Sequence, residues 1–480
     1  MNRPIARLFT LVLVMFAALI AYTSRWTVFD AGALQDNSLN HRTLLETRGV
    51  QRGTIYTAGK QTIADSLKEE GEYVRSYPLR SLFAAPVGFA FPDYGTAGLE
   101  AYRNGVLAGT PLDHESLVDQ LEGRQTGGDA VYTTLDAAAQ RVAQRALEQT
   151  HLTGAVVAMV PSSGAIRVWA TWPTFDPNRY PSRRYQAKLG TTPGGPLVDR
   201  VSEAEDDPGS IEKVVTAIAA IDSGKLTPDS YVDGSSPQTF EGIPLSNDEG
   251  TSYGQVTLTY ALTNSINTAY ANVAQDVGPA LLHEYMARLG YFRDPPVDLP
   301  AGELVASGVR GGATGQQLEG PSDWDTPLVG IGEGHLEVTP LQMVMVASAV
   351  ANHGVLMTPH LTDRVVNADG VTVSRYRPAV FSTVMKRSTA AAVENMMLDV
   401  VHDGTAEQAL AGFDIVVAGK TGTAELGNST NAPNDAWFIA FAPYRDIAVA
   451  VVVENTYEYG ADAAAPIARA VIQSLAGSGG

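Results

Sequence analysis

The chain has 480 residues, 45% hydrophobic and 18% charged, enough for several domains with real cores and incompatible with wholesale disorder. Asp and Glu outnumber Lys and Arg by 52 to 33, and the net charge of −19 argues against a nucleic-acid partner, which needs a basic face. There is no cysteine, so disulfides, cysteine nucleophiles and thiolate metal sites are excluded together.

Arg3 and Arg7 precede an uncharged run from Leu8 to Ser24, which Arg25 closes. Its 17 residues make a helix of roughly 25 Å, slightly short of a hydrocarbon core of about 30 Å, with Ile5, Ala6 and a snorkelling Arg7 available to extend it. The rival reading is a cleaved signal peptide, for which Ala21-Tyr22-Thr23 is a poor cleavage site. We expect an uncleaved single-pass anchor in the cell membrane. Residues 1–7 would be cytoplasmic, 8–24 membrane-spanning and the rest outside, because both Arg3 and Arg7 lie on the N-terminal flank.

Residues 25–128 show no long helical pattern, only short apolar runs between turns and charges, and predict a strand-rich module. Gly123 to Asp129 forms a boundary loop, and residues 129–480 form the second domain. There, Asp136 is placed to cap a helix from Ala137 to Gln149. Ala155 to Val160 and Ala165 to Trp169, split by Pro161-Ser162-Ser163-Gly164, predict a β-hairpin.

Pro208-Gly209 punctuates the chain before Ser210-Ile211-Glu212-Lys213. The following run, with Val214, Val215, Ile218, Ala219 and Ile221, predicts a buried helix ending at Asp222-Ser223-Gly224. Ser210 and Lys213 share one face of it, with Cβ atoms about 5–6 Å apart. A hydroxyl beside an amine suits an activated serine nucleophile, although one such pair arises by chance in a chain this long.

Helices follow at 256–276 and 279–289, then Gly- and Pro-rich loops over 290–335. Thr339-Pro340 opens a helix from Leu341 to Asn352. Three strands, Ile415 to Thr423, Ala436 to Ala442 and Ile447 to Val453, are close enough to pair antiparallel, and a helix runs from Ala463 to Leu475. Strands at both ends of a long segment with helices between predict an α/β layered domain with a mostly antiparallel sheet.

Two further triplets complete a set. Ser265-Ile266-Asn267 follows Ser210 by 55 residues, and Lys420-Thr421-Gly422 follows Ser265 by 155. S-x-x-K, S-D-N and K-T-G mark penicillin-binding proteins and class A β-lactamases. S-x-N occurs three times here and says little alone; the order and spacing of the three motifs carry the weight.

On these motifs the chain resembles a class B penicillin-binding protein over nearly its whole length. Arg52-Gly53-Thr54-Ile55 and Gly98-Leu99-Glu100 resemble the family's N-terminal pedestal. Thr134-Leu135-Asp136, Phe175-Asp176-Pro177-Asn178, Val338-Thr339-Pro340-Leu341-Gln342, Gly419 to Ala424 and Ala436-Trp437-Phe438 resemble its transpeptidase landmarks. The resemblance implies an antiparallel sheet with helices on both sides plus a helical subdomain. It implies a D,D-transpeptidase that acylates itself on the D-Ala-D-Ala end of a peptidoglycan stem peptide, then passes the acyl group to a neighbouring amine. It also implies covalent binding of penicillin and other β-lactams, no cofactor, and partnership with a polytopic glycan polymerase.

Under that resemblance Ser210 is the nucleophile and Lys213 its base. A neutral amine at pH 7 requires roughly 4–5 kcal/mol of destabilisation of the charged form, which burial and a second cation, Lys420, can supply. Ser265 relays a proton to the leaving amine, and Asn267 binds the substrate amide. The backbone N–H groups of Ser210 and Thr423 form the oxyanion hole, and Thr421, Gly422 and Thr423 bind the substrate's carboxylate end.

The chain departs from the family pattern at Glu212, Asp207 and Glu333, each adding an acid near the presumed cleft. A chain acidic throughout explains them; a site adapted to a cationic acceptor, or one losing activity, is the sharper alternative. Glu212 lies about 100° around a helix from Lys213, so contact between them is avoidable.

His151, His283, His335, His353 and His402 are scattered without metal-ligand spacing, so no metal is expected, and no phosphate-binding loop motif appears. Trp169, Trp172 and Trp437 are expected in the core. The competing function is a catalytically weak or inactive transpeptidase-like scaffold for a glycan polymerase. A β-lactamase leaves the anchor and pedestal unexplained.

Overall fold

Apolar length decides the first element. In the computed structural model Arg3–Ser24 is one helix, α1, of 22 residues and about 33 Å. It starts more than a turn before the uncharged run, so it matches a hydrocarbon core of about 30 Å without the predicted shortfall. Its segment Arg7–Ser24 is long and apolar enough to cross a membrane, and none of it is buried against the rest of the chain. The structure describes residues 3–25, 51–69, 71–109, 127–312, 314–318, 320–426 and 432–477. Most of the expected boundary loop, Gly123 to Asp129, lies outside the described residues, as do residues 26–50 of the expected pedestal.

The N-terminal module is built on a six-stranded sheet. In order, its strands are Thr372–Arg375, Thr362–Val366, Ala130–Thr133, Ile55–Tyr56, Thr62–Glu69 and Glu72–Ser76. Half of them come from beyond residue 128, so the module and the later chain share one hydrogen-bonded sheet. Ile55, Ile63, Phe83, Leu99, Leu107 and Val131 are buried beneath it.

Beyond the strand Ala130–Thr133 comes α2, Ala137–Thr150, capped by Asp136, whose carboxylate accepts from the Ala138 and Ala139 amides as expected. The predicted hairpin is β1, Gly154–Met159, with β2, Ile166–Trp172. Next come α3, Lys213–Asp222, α4, Leu258–Thr263, and α5, Asn267–Val277. Then follow α6, Pro340–Ala351, with Thr339 as its cap, and α7, Arg387–His402. The last elements are β3, Ala418–Glu425, β4, Asn434–Ala442, β5, Ile447–Thr456, and α8, Ala465–Gly477.

The central sheet runs β3-β4-β5-β1-β2, every pair antiparallel. An antiparallel sheet with one wet face would alternate buried and exposed residues. Here β1 and the first eight residues of β5 are buried without a break, because both faces are covered. α2 and α8 pack on one face, α6 on the other. Trp169 and Trp437 are fully buried as expected, and Trp172 is partly buried against the core.

β3 starts three residues later than expected, and the final helix starts at Ala465 after a separate turn, Gly460–Ala463. The larger correction concerns 256–276, expected as one helix. It is two, α4 and α5, broken at Ser265.

Candidate active site

The break at Ser265 follows from how α4 ends. The Ile266 amide bonds to the Ala261 carbonyl and the Ser265 amide to the Leu262 carbonyl, the paired bonds of a Schellman motif. That motif puts its outer residue in the left-handed region, usually as glycine. Ser265 takes the position with φ of 57°. A non-glycine residue there costs on the order of 1–3 kcal/mol, and such strain collects at functional sites. It aims the Ser265 hydroxyl into the same space as the amine of Lys213.

Ser210 is not on an α-helix, contrary to the sequence-based expectation. Gly209–Glu212 is a turn of 3-10 helix, and α3 begins at Lys213. In 3-10 geometry residues three apart eclipse each other. Lys213 Nζ therefore lies 2.9 Å from Ser210 Oγ. Backbone packing holds the turn tight. Gly209 has φ of 53°, its amide donates to the Gly332 carbonyl at 3.0 Å, and an added Cβ would sit 2.7 Å from the Thr423 carbonyl oxygen. The Thr216 hydroxyl donates to the Gly330 carbonyl at 2.6 Å, and the Trp437 indole donates to the Asp207 carbonyl at 3.1 Å.

Lys213 is fully buried and its Nζ reaches four oxygens. They are Ser210 Oγ at 2.9 Å, the Ser265 carbonyl at 2.7 Å, Ser265 Oγ at 3.3 Å and Asn267 Oδ1 at 2.5 Å. An ammonium has three donors and no acceptor. A neutral amine can instead donate to the Ser265 carbonyl and Asn267 while accepting from the Ser210 hydroxyl. Burial first, then the charge of Lys420, push the Lys213 amine well below the usual lysine range, against a weaker upward pull from Glu333 and Asp248.

Lys420, on β3, is also fully buried; its Nζ donates to Ser265 Oγ and to the Thr421 carbonyl, both at 2.9 Å. Burial brings its pKa down to about 7. Ser210, Lys213, Ser265 and Lys420 thus form one continuous chain of hydrogen-bonding atoms, with Asn267 at its side. Among the described residues, Asn267 Nδ2 makes only a 3.4 Å bond to the Ser246 carbonyl.

β3 is the edge strand of the sheet, and Thr421 and Thr423 share one face of it. The Thr421 hydroxyl is 2.6 Å from that of Thr405, and Thr423 Oγ1 accepts from the Gly460 amide at 3.4 Å. Gly422 lies against the Pro208 carbonyl, where an added Cβ would come within 2.8 Å. All eight site residues named from the sequence therefore lie on three segments that meet: the Ser210 turn, the α4–α5 break and β3. Thr405 and Tyr291 had no motif to mark them.

The three anomalous acids separate. The Glu212 carboxyl is buried and meets Tyr291, not Lys213. Asp207 is half-buried, its backbone carbonyl held by Trp437. Glu333 is exposed and is the one whose charge acts on Lys213.

Gly332 tests the support of the turn. It has φ of 90°, and an added Cβ would sit 1.9 Å from the Gly209 carbonyl oxygen. We expect Gly332→Ala to displace the Ser210 turn and slow active-site acylation by at least about tenfold, on the order of the 1–3 kcal/mol of local strain introduced. A labelled β-lactam time course checks this.

The penicillin-binding protein transpeptidase domain family matches residues 154–473, and the penicillin-binding protein A dimerisation domain family matches 52–131. The chain is 33% identical to the peptidoglycan D,D-transpeptidase PbpA of Mycolicibacterium smegmatis, covering 98% of each protein. It is 32% identical to the PbpA of Mycobacterium tuberculosis, covering 99% of each. Penicillin-binding protein A from M. tuberculosis, solved as a ceftriaxone acyl-enzyme complex, superposes with a TM-score of 0.81 at 29% identity, over 90% of this chain and 99% of that one. Its imipenem acyl-enzyme complex gives 0.80 at 29% identity, over 89% and 99%. With the motifs, the fold and the site geometry in agreement, the chain belongs to the penicillin-binding protein transpeptidase family.

Proposed function

We propose that this protein is a peptidoglycan D,D-transpeptidase in which Ser210 is the nucleophile and Lys213, as a neutral amine, its general base. The observation that carries the reading is the placement of Lys213 Nζ within hydrogen-bond reach of Ser210 Oγ, with Ser265 and Asn267 around it and Lys420 behind. Lys213 takes the Ser210 proton as Oγ attacks the carbonyl of the penultimate D-Ala of a stem peptide. The oxyanion is met by the backbone N–H groups of Ser210 and Thr423. The proton passes through Ser265 to the nitrogen of the departing D-Ala, leaving an ester on Ser210. A neighbouring stem's neutral amine then attacks the ester and gives its proton to Lys213, which returns it to Ser210 Oγ as Oγ leaves. Asn267 Nδ2 serves the substrate amide. Lys420 holds Ser265 and disfavours charge on Lys213, and Thr421, Gly422 and Thr423 receive the substrate's terminal carboxylate. A β-lactam enters the same cycle and stops at the ester.

In this reading residues 129–480 are the catalytic unit and 25–128 the pedestal. α1 anchors the chain with its N-terminus in the cytoplasm and catalysis outside, in keeping with Arg3 and Arg7 on the N-terminal flank. A polytopic glycan polymerase is the expected partner, since cross-linking needs newly made strands. Incubating the full-length protein with a labelled penicillin tests the core of the proposal. The expected result is one covalent label per chain, mapped by peptide mass to the segment containing Ser210. An unlabelled wild-type protein, or a label elsewhere, would sink it.

A further inference from the structure

Glu212 sits between the two residues that define the site, and nothing in the acyl-transfer cycle uses it. Its side chain is fully buried, on the short turn that spaces Ser210 from Lys213. Its Oε2 accepts a 2.7 Å hydrogen bond from the Tyr291 hydroxyl, and its Oε1 has no partner among the described residues. Tyr291 is itself fully buried, with its hydroxyl 3.5 Å from Met343 Sδ on α6. A fully buried ionised carboxylate with this one donor would cost far more than a neutral acid does. Burial accordingly pushes the Glu212 carboxyl up to about 8, the Tyr291 hydrogen bond pulling it partly back. Among the described residues, Tyr291 is the titratable group in contact with it. Lys213, next in the chain, directs its amine away to Ser265 and Asn267.

We propose that Glu212 is a positioning residue that works as an uncharged carboxylic acid, pinning the Ser210–Lys213 turn to Tyr291. The turn is 3-10, whose hydrogen bonds are poorer than those of an α-helix, so its geometry depends on outside anchors. Other anchors act through the backbone: the Gly332 carbonyl accepts from the Gly209 amide, the Trp437 indole donates to the Asp207 carbonyl, and the Thr216 hydroxyl donates to the Gly330 carbonyl. Glu212 is the anchor made by a side chain of the turn itself. Glutamine can keep the same acceptor for Tyr291; alanine cannot.

The inference rests on the proposed acyl transfer for its kinetic arm alone. With full-length protein and a fluorescent penicillin, Glu212→Ala should acylate about tenfold more slowly, and Tyr291→Phe about fivefold, the scale of one lost buried hydrogen bond. Glu212→Gln should restore most of the rate, and the Glu212→Ala/Tyr291→Phe pair should be no slower than Glu212→Ala alone. Should Glu212→Ala fail to fold, Tyr291→Phe, which removes one oxygen, carries this arm.

The second arm needs no activity. A carboxyl whose folded pKa is raised contributes stability that is lost as pH rises. The melting temperature of wild type should therefore fall relative to Glu212→Gln between pH 4.5 and about 8, and the gap should level off above that. Wild-type rates in folded Glu212→Ala and Tyr291→Phe, or a Glu212→Gln as slow as the alanine, would overturn the positioning role. A melting gap independent of pH would overturn the uncharged acid. An unreactive wild type with a pH-dependent gap would fail the transpeptidase reading and leave Glu212 standing as a neutral acid.

Discussion

Lys213→Arg should lose about three orders of magnitude in β-lactam acylation, roughly 4 kcal/mol of barrier, while the protein stays folded. The substitution keeps a long cationic side chain but removes its capacity to become neutral, so it isolates the one property that matters. Arginine cannot be deprotonated in a protein, and a group that cannot shed its proton cannot accept one from Ser210. If Lys213 served only as a positive charge near the oxyanion, arginine would be tolerated. The pH profile gives an independent reading. Lys213 is competent when neutral, so the acylation rate should rise with pH through its depressed pKa. Lys420 is one of the two causes of that depression, after burial. Lys420→Met removes the neighbouring cation, so the rising limb should move to higher pH. Two amines this close titrate as a pair, and the limbs belong to the site and not to either lysine alone. A rising limb that stays put in Lys420→Met would remove Lys420 from the tuning of the base.

The sequence made the site legible because its chemistry is carried by three short motifs whose residue types are rare in that order. Ser210 and Lys213 could be paired from spacing alone, since helical and 3-10 turns both bring residues three apart together. The fold that brings Ser265 and Lys420 to them could not. Ser265 stands where a helix-ending glycine is usual, so the break between α4 and α5 carried only a weak signal, the polar cluster Thr263-Asn264-Ser265. The six-stranded sheet was hidden for another reason. Ile55–Tyr56 is two residues long and pairs in parallel with Val131 and Tyr132, far along the chain, so no local periodicity records it. Tyr291 and Thr405 act through a single hydroxyl each, and one hydroxyl in a loop leaves no pattern. Glu212 was visible as an anomaly, but whether it faced Lys213 depended on the turn being 3-10 and on Tyr291 lying opposite.

Glu100→Ala should destabilise the N-terminal module by about 3–5 kcal/mol, a large share of a typical domain's 5–15 kcal/mol. Glu100 is fully buried between two cations. Its Oε2 accepts from Arg52 Nε and its Oε1 from Arg75 Nε, both at 2.6 Å, and the Tyr77 hydroxyl adds a bond at 3.2 Å. Burial pushes its pKa up, but Arg75 and Arg52 outweigh burial and the net shift is downward. Its contribution is therefore full above the ordinary carboxylate range and is lost as pH falls through the depressed value. Truncation leaves two guanidinium groups buried without their counter-charge, and Arg75 Nη2 already lacks a partner among the described residues. The strands of this module share a sheet with Thr362–Val366, and Gly98 donates its amide to Glu303 at 2.9 Å, so loosening should spread into the catalytic domain. Thermal unfolding should show a lower transition in Glu100→Ala, with acylation by penicillin less thermally robust than in wild type. The triple replacement Arg52→Met, Arg75→Met, Glu100→Leu separates the two meanings of the network. A buried ion cluster exchanged whole for apolar groups is often neutral or stabilising. A triple variant that melts at or above wild type would show that the cluster contributes little net stability, and that the damage in Glu100→Ala comes from the orphaned charges. A triple variant as weak as the single one would instead mean that the backbone bonds from Arg52 to the Glu100 carbonyl and from Arg75 to the Gly53 carbonyl, at 2.7 and 2.8 Å, hold the module together.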